Sequence, residues 1–323
     1  MTQKKPRDVS ASVRARLLNA ARERGEENQY VLMRYAAERL LYRLSLTPYR
    51  ERFILKGAKL FEIWTGESHR PTRDVDFLGF GSPVVAELVT VFQEICRQEV
   101  PEDDGISFDP ASVRGAPARQ DQEYQGAAIV LQANLGNAVI PVQIDFGFGD
   151  AITPAAEEVE LPTLLPLPPP RLRTYPRETV IAEKLQAMVM LGIANSRMKD
   201  YYDLWFLAQE FSFDGLLLQK AVVATFQRRN TEIPSQLPTG LSREFYDSSD
   251  KQAQWRAFVR RSRLAGEGAE LSTVTALLTR FLWPLLTAAW EGRELAAAWN
   301  PATLTWEIRV SDRQDRAPVG SAG

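Results

Sequence analysis

An apolar strand that runs into a glycine turn, followed by a strand with two aspartates, constrains the fold of this chain most strongly. Residues Phe53–Leu55 have the composition of a short buried strand, and Lys56 and Gly57 come directly after it. A glycine there lets backbone amides approach phosphate oxygens closely, with the N-terminus of a helix behind them. Residues Asp74–Asp76 (Asp-Val-Asp) begin the second strand. The segments predict a strand, a turn, a short helix and a strand in that order.

The two aspartates are expected to share one face of their strand. Side chains alternate along a strand, so Asp74 and Asp76 point one way while Val75 and Phe77 enter the core. Carboxylates placed in this way can bind two divalent cations about 3.5 to 4 Å apart, as in two-metal phosphoryl transfer. Oxygen ligands favour Mg²⁺ or Mn²⁺ over Zn²⁺. The same spacing is also common by chance, so the pair alone does not establish a metal site.

A third carboxylate could come from a separate strand. In the segment Val142–Asp145, Val142 and Ile144 are expected to face the core, while Gln143 and Asp145 face away. Asp145 is therefore a candidate third metal ligand. A solvent-facing residue at the end of a strand is the other interpretation of Asp145.

The C-terminal half supplies a lysine and two aspartates on predicted helices. Lys184 lies at the margin of an apolar stripe, where its ammonium can extend into solvent or bind a triphosphate. Asp200 and Asp203 are one turn apart on the next helix and share a face. They are either partners in surface ion pairs or a source of a carboxylate for an attacking hydroxyl.

The pattern along the chain changes from mixed to almost wholly helical. The N-terminal predictions are helices over 10–24 and 26–46, and strands over 53–55, 74–80, 106–113, 124–131 and 139–146. Residues 161–170 are rich in proline and indicate an extended connector. The later predictions are helices over 176–192, 197–211, 213–227, 253–264 and 272–289.

This change predicts two domains and a tail. Residues 1–170 form a core with N-terminal helices, and residues 171–310 form a helical domain. Residues 311–323, rich in Arg, Asp, Gly and Ser, are expected to be a disordered tail. The length of the chain agrees with two domains.

Composition excludes several classes of site. The net charge of −2 gives no general attraction to nucleic acid or membrane. The single cysteine excludes a disulfide framework and Cys-rich zinc sites, and the single histidine, His69, excludes multi-histidine metal sites. The N-terminus lacks the apolar segment of a signal peptide, and no uninterrupted apolar run is long enough to span a bilayer. We expect a cytoplasmic protein without a membrane partner.

Five segments occur in a fixed order between about residues 28 and 265. They are Leu-Lys-Gly at 55–57, Arg-Pro-Thr-Arg-Asp-Val-Asp-Phe at 70–77, Gln-Ile-Asp-Phe-Gly-Phe-Gly-Asp at 143–150, Ala-Glu-Lys at 182–184 and Arg-Met-Lys-Asp-Tyr-Tyr-Asp-Leu at 197–204. This order resembles the AbiEii/AbiGii toxin nucleotidyltransferases, a group that includes the mycobacterial MenT toxins. The resemblance implies an α+β fold, in which a polymerase-beta-like core with a mixed sheet flanked by helices precedes a mainly helical C-terminal domain.

The resemblance also implies roles for these residues. Asp74 and Asp76 would hold magnesium, Lys184 would bind nucleotide phosphates, and Asp200 would orient or deprotonate the acceptor. The residues expected around the nucleotide are Lys56, Gly57, Ala58, Thr72 and Asp203. The implied activity is transfer of a nucleotide monophosphate from an NTP, in some members to the 3′ end of tRNA. Many members are paired with an antitoxin encoded beside them.

Ala58 departs from the family pattern, which usually has a second small residue, Gly or Ser, after the first glycine. Alanine does not adopt positive φ at low cost, and it offers no hydroxyl. If the position needs either property, phosphate binding is weakened. If it needs only a small side chain, Ala58 suffices, and Lys59 could add positive charge.

RNA is the expected acceptor, because contacts from basic residues to phosphates dominate affinity that is independent of sequence. Trp255, beside Arg256, Arg260 and Arg261, could stack on a base, or the stretch could be an amphipathic helix with a solvated basic face. Two alternatives to the transferase remain. A metal-dependent glycosyltransferase would use Asp74 and Asp76, and a degenerate nucleotidyltransferase fold would only bind RNA or protein.

Overall fold

The structure, a computed structural model, describes residues 8–67, 70–117, 126–262, 264 and 269–308. The chain divides into two compact units that separate between Pro176 and Arg177. Within the described residues, the first unit contains a seven-stranded mixed sheet with helices, and the second is mainly helical. The predicted α+β fold class, a mixed sheet flanked by helices and then a mainly helical part, is confirmed. His69 and the predicted tail 311–323 lie outside the described residues.

The sheet of the first unit places β2 at its centre. The helices of this unit are α1 (Val9–Arg24), α2 (Asn28–Ser45), α3 (Lys59–Thr65) and α4 (Val85–Arg97). Its strands are β1 (Phe53–Lys56), β2 (Asp74–Gly79), β3 (Ile106–Pro117), β4 (Gly126–Leu135), β5 (Ala138–Phe148), β6 (Glu157–Glu160) and β7 (Arg171–Thr174). The strand order is β3-β4-β5-β2-β1-β7-β6. Strand β2 pairs in parallel with β5 and antiparallel with β1.

A cluster of four buried phenylalanines fixes the register of the central strands. Phe77 and Phe146 are partners across β2 and β5, with ring centroids 5.9 Å apart. Phe53 of β1 lies 5.5 Å from Phe77 and 5.3 Å from Phe146, and Phe92 of α4 lies 5.5 Å from Phe146. Burying each ring contributes about 1.5–3 kcal/mol. A slip of one residue would move these rings to the opposite face, so the cluster opposes any other register.

The proline-rich segment 161–170 is a connector without helix, as predicted, but it closes a hairpin between β6 and β7 instead of running extended. The backbone N–H of Leu161 donates to the carbonyl of Pro170 at 2.9 Å, which closes the loop between β6 and β7. Glu38 accepts from the N–H of Leu164 at 2.7 Å, and burial raises the pKa of Glu38 to about 7. These contacts hold the loop against α2. The first unit therefore extends through β7, which pairs with β1.

The second unit combines helices with a small sheet that the sequence does not predict. Its helices are α5 (Arg177–Leu191), α6 (Met198–Glu210), α7 (Gly215–Arg228), α8 (Arg243–Tyr246), α9 (Ser249–Arg261) and α10 (Leu271–Trp290). Its strands are β8 (Phe213–Asp214), β9 (Ala297–Asn300) and β10 (Thr305–Ile308), in the order β10-β9-β8. Phe213, predicted as the first residue of a helix, pairs with Trp299 instead. Helix α7 begins after Asp214, whose side chain accepts from the N–H of Leu217 at 2.9 Å.

Helix α10 is a core helix of the second unit. By length and composition it is the one helix among the described residues that could cross a bilayer. Leu278, Phe281 and Leu285 are nevertheless fully buried in this unit, and the Phe281 carbonyl accepts from the indole N–H of Trp306 at 3.0 Å. Arg280 also interrupts its apolar run. These contacts are those of a helix packed among protein side chains.

Candidate active site

One face of the central sheet brings together the predicted residues of the first unit. Lys56 of β1 lies opposite Asp76 of β2, and Asp76 lies opposite Asp145 of β5. Asp74 lies opposite Gln143, also in register. Partners in register project from the same side of a sheet, so the three aspartates and Lys56 share one face. We call this surface the carboxylate face. It lies opposite the phenylalanine cluster, as the alternation predicts.

Gly57 fits the turn for two independent reasons. Its φ is +77°, a conformation that other residues adopt at a cost. A Cβ atom at Gly57 would also lie 2.0 Å from Oδ2 of Asp76. The backbone of the turn therefore lies directly against the Asp76 carboxylate, and only glycine permits this approach.

Ala58, which follows Gly57 where the family usually has Gly or Ser, does not adopt positive φ. Its φ of −70° and ψ of −20° are ordinary helical values at the start of α3. The turn therefore requires one glycine, and alanine follows it without strain. Lys59 lines a pocket with Glu38 and Glu62, and burial lowers the pKa of Lys59. Glu62 and Glu38 favour the charged form of Lys59, but the effect of burial outweighs theirs.

The carboxylate oxygens of Asp74, Asp76 and Asp145 are the ligand type that a hard cation such as Mg²⁺ prefers. In this structure the three carboxylates do not converge on one metal position. Among the described residues, no group of three or more His, Cys, Asp or Glu side chains is arranged to hold a metal ion. Both oxygens of Asp145 accept from the Gln143 amide, at 3.0 and 3.3 Å. Asp74 and Asp76 are half-buried and present only oxygen donors, which suits Mg²⁺ or Mn²⁺. Because Gly57 has no Cβ atom, the Asp76 carboxylate can lie directly beside the turn.

Thr72 lies in the segment that leads into β2. Its backbone N–H donates to the hydroxyl of Tyr30 at 3.3 Å. Tyr30 is on α2, so this contact attaches the segment before Asp74 to a long helix of the core. No local sequence pattern relates Tyr30 to Thr72, so this contact was not predictable from the sequence.

A second cluster of charged groups lies within the helical unit. The Lys184 ammonium on α5 lies 2.6 Å from Asp200 Oδ1 and 2.8 Å from Asp203 Oδ2, both on α6. Both carboxylates are 1% exposed, and the Lys184 side chain is 13% exposed. Lys184 therefore does not simply extend into solvent, and the two aspartates are not partners in surface ion pairs. The structure brings these three predicted residues together.

Arg197 completes this cluster and is a residue to which sequence reasoning gave no role. Its Nε lies 2.6 Å from Asp200 Oδ2 in an ion pair one turn apart. Burial alone would raise the pKa of Asp200, but the charges of Lys184 and Arg197 outweigh it and hold this pKa below its ordinary value. The spacing of three residues between Arg197, at the N-cap of α6, and Asp200, in its first turn, was the signal that could have indicated this pair. We call Lys184, Arg197, Asp200 and Asp203 the charged cluster.

Trp255 cannot stack on a base, so of the two interpretations of this stretch the amphipathic helix is the correct one. Its side chain is buried, at 4% exposure, and its indole N–H donates to the carbonyl of Ala269 at 3.0 Å. Arg256, Arg260 and Arg261 are exposed on the same helix. The helix is therefore amphipathic, with Trp255 on the apolar side and the arginines in solvent.

Comparison with known proteins identifies the family. The family model for the nucleotidyl transferase AbiEii toxin of type IV toxin–antitoxin systems matches residues 39–276. No curated protein matches the chain. Similar solved structures include a protein from H. pylori described as a nucleotidyltransferase (16% identity, 82% of this chain and 96% of that chain, TM-score 0.46). Another is JHP933 from Helicobacter pylori (16% identity, 79% of this chain and 90% of that chain, TM-score 0.44). The match over most of the chain shows that this protein belongs to the AbiEii nucleotidyltransferase toxin family.

Proposed function

We propose that this protein transfers a nucleotide monophosphate from an NTP to an RNA acceptor, with the 3′ end of tRNA as the acceptor site. The observation that carries the proposal is the register of the carboxylate face. Asp76 lies opposite Asp145, and the Gly57 turn lies against the Asp76 carboxylate. Family membership adds the reaction class, and the family name implies an antitoxin partner. The expected setting is the cytoplasm, where RNA and NTPs are available.

In this proposal, the carboxylate face holds Mg²⁺, or Mn²⁺ in its place. Asp74 and Asp76 supply the principal ligands, and Asp145 joins them when its hydrogen bonds from Gln143 are exchanged for the cation. When bound, two such ions would activate the acceptor hydroxyl and stabilise the charge of the leaving pyrophosphate. The backbone of Gly57 and Ala58 faces the nucleotide phosphates, and Thr72 lies beside the nucleotide.

Transfer forms one bond and breaks another at the α-phosphorus. The acceptor hydroxyl oxygen bonds to this phosphorus, the bond to the bridging oxygen breaks, and pyrophosphate leaves. The hydroxyl proton passes to solvent. Asp200 is a poor base for this proton, because Lys184 and Arg197 occupy its two oxygens and its lowered pKa makes it a weak proton acceptor. We assign Asp200 and Asp203 the role of holding the Lys184 ammonium in place, so that Lys184 binds phosphate oxygens.

RNA is the preferred acceptor because exposed arginines are available on the second unit. Arg256, Arg260 and Arg261 of α9 can contact phosphates irrespective of sequence. These phosphate contacts do not require base stacking by Trp255. Such binding weakens as salt increases, since each phosphate contact releases counterions.

Labelling of RNA tests the proposal. Purified protein is incubated with total RNA, Mg²⁺ and each α-labelled NTP in turn. A labelled band of tRNA size is expected for at least one NTP. Asp76→Asn should reduce the label by about a hundredfold or more, the scale of losing one key electrostatic group. Glu102→Gln, which changes an exposed carboxylate of the same unit, should label like the native chain.

Two outcomes would reject the proposal. One is full labelling by correctly folded Asp76→Asn, and the other is no labelling with any NTP. Binding of NTP without turnover would favour the degenerate fold, and turnover of a nucleotide sugar would favour the glycosyltransferase. The helical backbone of Ala58 needs neither positive φ nor a second glycine, so the conformation of this residue is no argument for the degenerate fold.

A further inference from the structure

Asp150 holds the ammonium of Lys56 on the carboxylate face. The Lys56 Nζ atom lies 3.2 Å from Oδ2 of Asp150. Lys56 belongs to β1 and Asp150 follows β5, and β2 lies between these strands. The lysine side chain must therefore cross β2 on the side that carries Asp76 and Asp145. Its partner Asp150 is 8% exposed, and Lys56 is 17% exposed.

Gly147 leaves the space that this crossing needs. A Cβ atom at Gly147 would lie 3.2 Å from Nζ of Lys56 and 3.6 Å from Oδ2 of Asp150. Gly147 is two residues after Asp145 on β5, so it belongs to the same face. Its backbone φ is not positive, so local strain does not require glycine here. A Cβ atom here would instead require the ammonium to shift by a few tenths of an ångström.

We propose that Asp150 is a positioning residue, which fixes Lys56 where its ammonium binds the β- or γ-phosphate of the donor nucleotide. This inference rests on the proposed function. A free lysine loses considerable rotamer entropy when it binds a ligand, and a carboxylate that already holds it removes part of that cost. The carboxylates of this face repel a triphosphate, and the fixed positive charge of Lys56 beside them offsets part of that repulsion. Asp150 acts through Lys56 and does not itself contact phosphate.

A purely structural ion pair would behave differently. Its loss would lower the stability of the fold and affect all ligands alike. The positioning role predicts an effect on ligands with β- and γ-phosphates, and little effect on a nucleoside monophosphate. It also predicts that Lys56 and Asp150 act as one unit, so that removing both costs no more than removing Lys56.

Calorimetric titration in Mg²⁺ tests the inference. Each of ATP, CTP, GTP and UTP, and the matching monophosphates, is titrated into native protein, Asp150→Asn, Lys56→Met and the double variant. Asp150→Asn and Lys56→Met should each weaken NTP affinity about tenfold, the scale of one charge-assisted hydrogen bond, with the monophosphates unchanged. Gly147→Ala keeps both charges but displaces the ammonium, and it should weaken NTP binding in the same direction. Glu102→Gln is the control.

The outcomes separate this inference from the function on which it rests. If native protein binds no NTP, the proposed function and the positioning role both fail. If native protein binds NTP and Asp150→Asn binds it equally well, only the positioning role fails. Additive losses in the double variant, or equal losses for mono- and triphosphates, would also overturn it. Asp150→Glu, which restores the carboxylate, should recover part of the affinity. Should Asp150→Asn fail to fold, the double variant, which leaves no unpaired charge, is compared with Lys56→Met: equal NTP affinity supports the positioning role, and a further loss overturns it.

Discussion

At the scale of single residues, Gly57 shows how the backbone and the functional groups depend on each other. Its positive φ ends β1 in a tight turn, and its missing side chain admits the Asp76 carboxylate. Sequence reasoning identified the first property, because a glycine after a strand is a recognisable signal. The second property requires the register of β1 and β2, which no local pattern supplies.

Gly57→Ala should therefore lower activity by more than its effect on stability explains. The positive φ alone costs about 1–2 kcal/mol in the free energy of unfolding. The new Cβ would also force the Asp76 carboxylate away from its position, so RNA labelling should fall by about a hundredfold, the scale of one lost electrostatic group. Chemical denaturation and the labelling assay measure the two effects separately.

Gly66→Ala is the matched control for this variant. Gly66 has a φ of +79°, and no heavy atom would lie within 4 Å of its Cβ. It should lose similar stability and keep its activity. Equal activity in the two variants would show that contact between the turn and Asp76 is not needed.

At the scale of elements, the charged cluster joins α5 to α6. The sequence placed Asp200 and Asp203 on one face of a helix, and the structure agrees. It did not reveal that both carboxylates are buried around Lys184, because helix pairing depends on tertiary packing. The same limit explains Trp255, because its burial and its hydrogen bond to the carbonyl of Ala269 depend on how helix α9 packs. The alternation of aspartates and core residues along β2 was predictable from the sequence, whereas the pairing of β2 with β5 was not.

Asp200→Asn should destabilise the second unit strongly at neutral pH. Breaking a buried ion pair typically costs about 3–5 kcal/mol, since an uncompensated charge remains. The folded pKa of Asp200 is lower than the unfolded one, so its stabilising effect is present at neutral pH. That effect is lost as pH falls below the ordinary aspartate value of about 3.9 and through the lower folded pKa. The difference in unfolding free energy between native protein and variant should therefore shrink in acid.

Asp247→Asn provides the control for this pH series. Asp247 pairs with Arg243 at 2.7 Å in an exposed position. Exposed pairs contribute about 0–1 kcal/mol, so this variant should differ little from native protein at any pH. A loss for Asp200→Asn as small as that for Asp247→Asn would contradict a buried, charged role for Asp200.

At the scale of the whole molecule, the order of motifs predicted more than periodicity did. The spacing of apolar residues alone predicted individual helices and strands, and the change from mixed to mainly helical structure along the chain. It predicted a connector without helix at residues 161–170 but not the closed hairpin, because proline-rich composition does not show where the two ends of a loop lie. The small sheet of β8, β9 and β10 was also missed, since strands this short carry little periodicity. The ordered motifs gave the family, which the match over residues 39–276 confirms.

The central claim is that the carboxylate face binds the metal and the nucleotide. The most direct measurement is anomalous diffraction from crystals of the full chain soaked with Mn²⁺ and a non-hydrolysable NTP. We predict an anomalous peak beside Asp74 and Asp76, with the triphosphate near Lys56 and the Gly57 turn. Asp76→Asn crystals should lack the peak. A peak elsewhere, or nucleotide bound away from this face, would contradict the account.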